Sequence, residues 1–237
     1  MTVEQASRDD RYTQLRQLRA QVESVQGRRL GAPALPVAAP LVGLLPGGGL
    51  RAGSVYSIAS SSTLLSALLA QPSQAGAWCA LVGVPHWGVE AAARLGVNLS
   101  RVVLIPDPGS RWSAVMSTVA DVLSIVVIRP MQRVSDGYAA RLAARLRERG
   151  TVLIVQGPWP GAEAVIDVSA PRWTGVGAGH GYLADRQITV QVSHRQWMRP
   201  RREQVLLPAT DGTFRTAPGR GTEQGSETGR RRLEAVG

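Results

Sequence analysis

Four consecutive hydroxyl residues, Ser60, Ser61, Ser62 and Thr63, form the first group in the sequence that could bind an anion. They follow an apolar run and precede a predicted helix, where free backbone N–H groups and the helix dipole favour negative charge. Serine and threonine are also common N-cap residues, and an N-cap is the simpler interpretation. The sequence therefore predicts no catalytic residue and no bound cofactor at this position.

Lysine is absent from the sequence. All 27 basic residues are arginine, and the formal net charge is +10. Without lysine the chain can form neither a Schiff base nor the lysine contact of a phosphate-binding loop. Because a genome with biased base composition favours arginine, alanine, glycine and valine codons, the positive charge alone is weak support for nucleic-acid binding.

A second group combines arginine with tryptophan: Arg195, Trp197, Arg199, Arg201 and Arg202. Guanidinium groups pair with phosphates and an indole ring can stack on a base, so this group is a candidate DNA surface. Tryptophan and arginine are also favoured anchors of protein interfaces, and a partner surface is the preferred interpretation. A solvated face without a partner is the third alternative.

The histidines and the cysteine do not predict a metal site. His86 and Trp87 follow a predicted strand at the edge where open α/β sheets bind ligands. However, His86, His180 and His194 all lack a companion ligand, so a structural role is preferred. The single cysteine, Cys79, excludes an internal disulfide, fits a reducing cytoplasm, and is predicted to be a small buried hydrophobe.

Short apolar runs alternate with helical segments and would position these groups. Strands are predicted at 55–59, 78–84, 101–105, 124–128 and 151–156, and helices at 62–70, 89–95, 112–123 and 136–148. This order predicts an α/β fold with a mostly parallel sheet flanked by helices on both faces. Three later strands, at 164–168, 187–194 and 204–207, are expected to extend the sheet as an antiparallel edge.

The ends of the chain differ in composition from its centre. We predict an N-terminal helix over 1–30, a proline-rich linker over 31–40, the main domain over 41–215 and a disordered basic tail over 216–237. The tail contains Arg230, Arg231 and Arg232. No signal sequence and no membrane-spanning run is predicted, so the expected location is the cytoplasm, with association with the nucleoid as a further candidate.

The segment 47–58, GGGLRAGSVYSI, resembles the entry to the core of RecA recombinases, where a Gly-Gly-Leu turn and a spaced glycine precede the phosphate loop. The resemblance continues through 80–82, 93–97, 125–128 and 152–156, the last ending in a glutamine as in RecA proteins. It resumes at 185–195, which looks like the strand after the second DNA-binding loop. The resemblance covers about residues 41–215 and implies a RecA-like fold.

The glycine-rich stretch 175–181 falls at the position of that second DNA-contacting loop. A match of this stretch to a dinucleotide-binding fingerprint would be spurious, because the next predicted element is a strand and not a helix. A hairpin-like connection is the preferred interpretation, and a DNA contact is the alternative.

The sequence departs from RecA-like ATPases at three positions that carry chemistry. A phosphate loop has the pattern Gly-x-x-x-x-Gly-Lys-Ser/Thr, but Ile58 and Leu64 are separated only by Ala-Ser-Ser-Ser-Thr. Where the resemblance implies a catalytic glutamate, the chain has Pro85 or a neighbour that cannot accept a proton. Where it implies a magnesium-organising aspartate, the chain has Arg129. We therefore expect a pseudo-ATPase, not an enzyme, with no metal.

RecA-like proteins without a phosphate loop are known in two bacterial settings, the mutasome and the inhibition of cell division. The chain is similar to the RecA-like accessory proteins of the bacterial mutasome, the ImuA group with its actinobacterial type. That resemblance implies an adaptor in SOS-induced translesion synthesis, with an inactive Y-family polymerase homologue, an error-prone replicative-type polymerase and RecA as candidate protein partners. The alternatives are a SulA-like inhibitor of cell division and a module that binds DNA weakly. The arginine-rich composition and the long core favour the adaptor.

Overall fold

The computed structural model describes residues 34–177 and 180–218. The predicted N-terminal helix, residues 31–33 of the predicted linker and most of the predicted tail, including Arg230, Arg231 and Arg232, lie outside these residues. Leu35 pairs with Leu50 through their backbones, and Val37 is buried. The packed domain therefore begins before Leu41. No helix in the described ranges is long and apolar enough to cross a membrane.

Helices and strands alternate along the first two thirds of the described chain. The helices are α1 (Ala39–Val42), α2 (Ser62–Gln74), α3 (Val89–Arg94), α4 (Trp112–Ala120) and α5 (Asp136–Arg149). The strands between them are β1 (Val55–Ile58), β2 (Cys79–Val82), β3 (Val102–Ile105), β4 (Ile125–Ile128) and β5 (Val152–Gln156). Each lies within two residues of a predicted strand.

Strands dominate the remainder. These are β6 (Ala164–Trp173), β7 (Val176–Gly177), β8 (His180–Gly181), β9 (Arg186–His194), β10 (Arg201–Leu206) and β11 (Arg215–Thr216). The main sheet has nine strands in the order β11-β10-β9-β6-β1-β5-β4-β2-β3. Strands β1 to β6 of this sheet pair in parallel, and β9, β10 and β11 add antiparallel pairs, so the predicted fold class is confirmed.

The prediction was wrong about the direction of β6, which pairs in parallel with β1 and antiparallel only with β9. Two parallel strands of one sheet, such as β5 and β6 on either side of β1, usually require a connection of about a dozen residues or more. Here β1 has four residues, and the seven-residue connection 157–163 crosses it on the face of Val55 and Ser57. The Ser57 hydroxyl donates to the Gly157 carbonyl at 2.6 Å. A short strand with a small central side chain therefore makes the short crossover possible.

Two apolar clusters lie on opposite faces of the parallel strands. One packs α2 and α3 against β1, β2, β4 and β5 and continues over β6 and β9. The other packs α4 and α5 against the reverse face, with Trp159 at its margin. Cys79 is fully buried in the first cluster, which confirms its predicted role as a small hydrophobe.

Candidate functional site

The connection between β1 and α2 consists of Ala59, Ser60 and Ser61. Ser61 is the N-cap of α2: its hydroxyl accepts a hydrogen bond from the Leu64 amide at 3.3 Å and lies 3.2 Å from the Thr63 hydroxyl. The cap therefore satisfies one of the free amides in the first turn of α2. This contact gives the run of hydroxyl residues the role of a helix start. Ser60 and Ser62 are exposed.

Arg186, from the start of β9, lies against the first turn of α2. Its guanidinium Nη1 donates to the Thr63 hydroxyl at 3.1 Å, and its Cζ is 5.9 Å from the centre of the Trp173 ring. A guanidinium has no proton-accepting atom, and the hydroxyls here have no neighbouring carboxylate among their hydrogen-bond partners. Within the described chain, the carboxyl end of β1 therefore combines a serine cap with an arginine contact, and no carboxylate is hydrogen-bonded to its hydroxyl groups.

The ends of β2 and β4 carry no acidic group at the positions singled out from the sequence. Pro85 and His86 are exposed, whereas Trp87 is buried and donates from Nε1 to the Ser66 hydroxyl at 3.1 Å. That contact gives Trp87 the structural role that the sequence favoured. Arg129 is exposed, and its amide donates to the Val82 carbonyl.

Among the described residues, no three His, Cys, Asp or Glu side chains lie close enough together to hold a metal ion. Burial raises the pKa of the Cys79 thiol to about 12, so this thiol stays protonated at neutral pH. Neither a metal centre nor a cysteine nucleophile has support in this part of the chain.

The arginine–tryptophan group lies at the opposite edge of the sheet, in the turn between β9 and β10 and in the first residues of β10. Trp197 is half-buried against the first apolar cluster, and its ring lies 5.1 Å from that of His194. The Arg201 guanidinium covers the indole at 4.0 Å and donates to the Gly43 carbonyl. One face of Trp197 is therefore occupied by a cation, which leaves it poorly suited to stack on a base.

The other arginines of the group do not converge on that ring. Arg202 donates from Nε to the Gln191 side chain at 2.7 Å, and consecutive residues of a strand point to opposite faces, so Arg202 diverges from Arg201. Arg195 and Arg199 are exposed in the turn. The structure joins Trp197 to Arg201 and leaves Arg195 and Arg199 as free cations within the described chain.

Glu163 ends the connection between β5 and β6 and forms a buried polar cluster that the sequence did not reveal. Its carboxylate accepts from Arg51 at 2.9 Å and from the Ser54 hydroxyl, and lies 3.7 Å from His194 Nε2. Burial raises the pKa of nearby Tyr56 to about 12, so the phenol remains neutral. The cluster fixes the connection 157–163 to β9, and the carboxylate is enclosed among its partners.

The glycine-rich stretch forms a hairpin in which Val176 pairs with Gly181 and Gly177 with His180, as the sequence interpretation preferred. It connects β6 to β9. The hairpin does not directly follow β5, which ends at Gln156. The connection 157–163 and strand β6 lie between them.

The sequence predictions did not include two features at the carboxyl edge of the parallel strands. Arg186 is distant in sequence from Thr63, and nothing in the pattern of residues indicated their contact. Trp159, between two prolines directly after a predicted strand, carried a usable signal, since ligands of parallel sheets bind beyond the carboxyl ends of strands.

Comparison with known proteins gives a family and a fold. Residues 43–161, half of the chain, match the family described as the MT3502 N-terminal domain. The chain belongs to this family. The uncharacterized protein Rv3395c of Mycobacterium tuberculosis (strain ATCC 25618 / H37Rv) is a relative, 35% identical over 122 residues, which are 50% of this chain and 60% of that protein. The matched region therefore spans less than two thirds of the relative.

A crystal structure of the RadB recombinase is a structural neighbour of this MT3502-family chain, with a TM-score of 0.56 and 14% identity. The match covers 76% of this chain and 97% of the recombinase chain. At this identity the likeness concerns the fold alone. The sheet order and the neighbour together give a RecA-like α/β fold.

Proposed function

We propose that this chain is a non-catalytic RecA-like adaptor in damage-induced translesion synthesis and mutagenesis. In this role it binds an inactive Y-family polymerase homologue and an error-prone replicative-type polymerase in the cytoplasm, and it does not hydrolyse ATP. One observation carries the proposal: inside a retained RecA-like sheet, the β1–α2 connection is reduced to three residues and ends in a serine cap.

Two further observations support a protein without ATPase chemistry. Arg129 stands at the end of β4, where its charge is opposite to that of a magnesium-organising carboxylate. Arg186 contacts Thr63 at the first turn of α2, on the side where a nucleotide phosphate would have to approach. A large sheet without these catalytic parts suits a scaffold that presents surfaces to partners.

The test is a calorimetric titration of the purified chain with the inactive Y-family polymerase homologue from the same genome. The cell-division GTPase is a parallel titrant. We expect binding to the first alone, with a dissociation constant of about 1 μM or tighter, equivalent to about 8 kcal/mol. Binding to the division GTPase alone would establish the SulA-like alternative, and measurable ATP turnover by the pure protein would exclude the non-enzymatic function.

A DNA-binding module is a second candidate because Arg195 and Arg199 are exposed and form no ion pair with another described residue. Phosphate contacts would make the affinity for duplex DNA fall with salt, with a log–log slope of about 0.9 per contact. A salt-insensitive signal, or none, would remove this candidate.

A further inference from the structure

Strand β3 forms one edge of the nine-stranded sheet, and β2 is its only strand partner within the described chain. Its sequence is Val-Val-Leu-Ile, with Val103 and Leu104 37% and 45% exposed. Proteins usually protect edge strands with charged side chains, proline or a bulge. Strand β3 contains none of these and pairs with β2 in a continuous register. This edge is therefore open to pairing with a further strand.

The free backbone groups of this edge centre on Leu104. The Ile105 carbonyl accepts from the Gly83 amide, so the backbone groups of Ile105 point toward β2. Consecutive residues of a strand point these groups to opposite sides, so the amide and carbonyl of Leu104 point away from β2. Val102 shares that direction, but its amide already donates to the Leu99 carbonyl. An added strand would therefore exchange its hydrogen bonds mainly with Leu104.

Apolar surface continues on both sides of the strand. Trp78, directly before β2, and Leu99, in the turn that leads into β3, are both exposed. Beyond the other end of β3, a groove of about 360 Å³ lies along α4 and is lined by Pro108, Arg111, Ala114, Val115, Thr118 and Val119. An exposed apolar edge bordered by such a groove is typical of a protein interface.

Opposite charges lie at equal distances from Leu104 along the chain. Arg101 is three residues before it and Asp107 is three residues after it. Neither forms an ion pair with another described residue. The Arg101 guanidinium lies 5.2 Å from the centre of the Trp78 ring, and the Asp107 carboxylate accepts from the Gly109 amide. In an antiparallel pair of two β3 strands centred on Leu104, Arg101 of each copy would face Asp107 of the other.

We propose that this chain forms a twofold dimer in which the β3 strands of two copies pair antiparallel about Leu104. A twofold interface presents the same patch on both subunits, so a patch that complements its own charges fits a second copy of this chain. The pairing joins the two sheets into one continuous sheet. It leaves the arginine–tryptophan turn free, because β9 and β10 lie toward the opposite edge. The proposal goes beyond the adaptor function and does not depend on it.

The first test is sedimentation equilibrium of the full chain between about 1 and 100 μM. We expect a dimer with a dissociation constant of about 10 μM, equivalent to about 7 kcal/mol. Leu104→Lys would place two ammonium groups opposite each other at the twofold axis and should weaken the dimer about tenfold or more. Met131→Lys is the matched control, since Met131 is 71% exposed outside this edge, and should change the dissociation constant less than about twofold.

Charge reversal distinguishes a twofold pair of β3 strands from any other dimer. Arg101→Asp and Asp107→Arg should each weaken the dimer about fivefold, because each places like charges opposite each other at two points of the interface. The double variant restores opposite charges and should return to within about twofold of the unsubstituted chain. Losses that add in the double variant would show that these residues do not face each other, and would overturn the proposal.

Disulfide trapping gives a measurement that does not depend on the charge variants. In a hydrogen-bonded antiparallel pair the two Cα atoms are about 5.5 Å apart, within the range that a disulfide spans. We expect Leu104→Cys, oxidised with diamide, to form a covalent dimer about fivefold faster or more than Met131→Cys. The buried Cys79 would not compete.

Two outcomes would contradict the proposal directly. A monomer at about 100 μM would exclude the dimer, and a dimer that persists unchanged in Leu104→Lys would assign the interface to another surface. Circular dichroism of each variant confirms that a lost dimer is not a lost fold. Neither outcome bears on the adaptor function, which is tested by titration with a different protein.

Discussion

Two neighbouring points on the carboxyl edge of the sheet have opposite characters. Beyond β1, hydroxyl groups are engaged: Ser61 caps α2 and Thr63 accepts from Arg186. Beyond β4 and the adjacent β5, a cleft of about 900 Å³ stays open and is lined in part by Trp159, whose buried Nε1 has no hydrogen-bond partner among the described residues. In open α/β sheets this whole edge is where ligands bind. The hydroxyl groups beyond β1 are thus engaged within the fold, whereas the surface beyond β4 and β5 is recessed and open.

The largest effect that would sharpen this comparison is expected at Glu163, which anchors the connection forming one wall of the open cleft. Glu163→Ala should lower the free energy of unfolding by about 2 kcal/mol, because the buried Ser54 hydroxyl would be left without its acceptor. The half-exposed Arg51 should contribute little of this loss. Urea denaturation measures the effect, with the exposed Asp167→Ala as a control. Equal stability of the two variants would contradict the anchoring role.

The two buried tryptophans differ in their indole N–H groups: that of Trp87 has a hydrogen-bond acceptor, whereas that of Trp159 has none among the described residues. Trp87→Phe loses the hydrogen bond to Ser66, whereas Trp159→Phe loses no bond within the described chain. We expect Trp87→Phe to be more destabilising by about 1 kcal/mol, since both variants remove the same ring atoms. Parallel thermal and urea denaturation would test this. An equal loss would mean that the Trp159 donor is already satisfied and the cleft is less distinctive than the geometry indicates.

At the closed end, the role of Ser61 as a helix cap predicts a moderate effect. Ser61→Ala should cost about 1 kcal/mol, because the Leu64 amide loses its acceptor. The neighbouring exposed Ser60→Ala is the matched control and should change stability by less than about 0.5 kcal/mol. A reversed order would indicate that the hydroxyl run does something other than start the helix.

The smallest expected effect concerns the far end of α5, whose first turn lines the cleft. Asp121 accepts from Arg145 and lies 3.4 Å from Arg149, and the Arg145 hydrogen bond holds the pKa of its carboxyl below the ordinary value. Asp121→Asn should cost about 0.5 kcal/mol at neutral pH, a small value because the arginines are exposed.

The pH dependence follows from the direction of that shift. A lowered folded-state pKa makes the ion pair stabilising above the unfolded-state pKa of about 3.9, and the contribution is lost as the pH falls through the folded value. The difference between the wild-type chain and Asp121→Asn should therefore shrink between pH 6 and about pH 3. Denaturation at both pH values tests this, and a difference that grows in acid would reverse the assignment.

Much of the fold could be predicted because its signals are local. The runs around Val55, Ile125 and Val152 are short, apolar and β-branched, and each formed a strand of the parallel sheet. The direction of β6 could not be predicted, since a seven-residue connection is normally too short for a parallel crossover. Only the shortness of β1 and the small Ser57 side chain, set in three dimensions, allowed it.

The arginine–tryptophan group shows the same limit for a site. Sequence spacing placed Trp197 among four arginines, but it could not tell that Arg201 would cover the ring or that Arg202 would turn to Gln191. These contacts depend on strand pairing and on the alternation of side chains across a sheet.

The sequence by itself determined the alternation of helices and strands, the burial of Cys79 and the absence of a phosphate-binding lysine, because each follows from residue type or local periodicity. The tertiary structure alone decided that Arg186 meets Thr63, that Glu163 joins Arg51 to His194, and that a cleft opens beside Trp159. Those contacts join residues far apart in the chain. Their formation depends on the order in which strands enter the sheet, which local patterns do not encode.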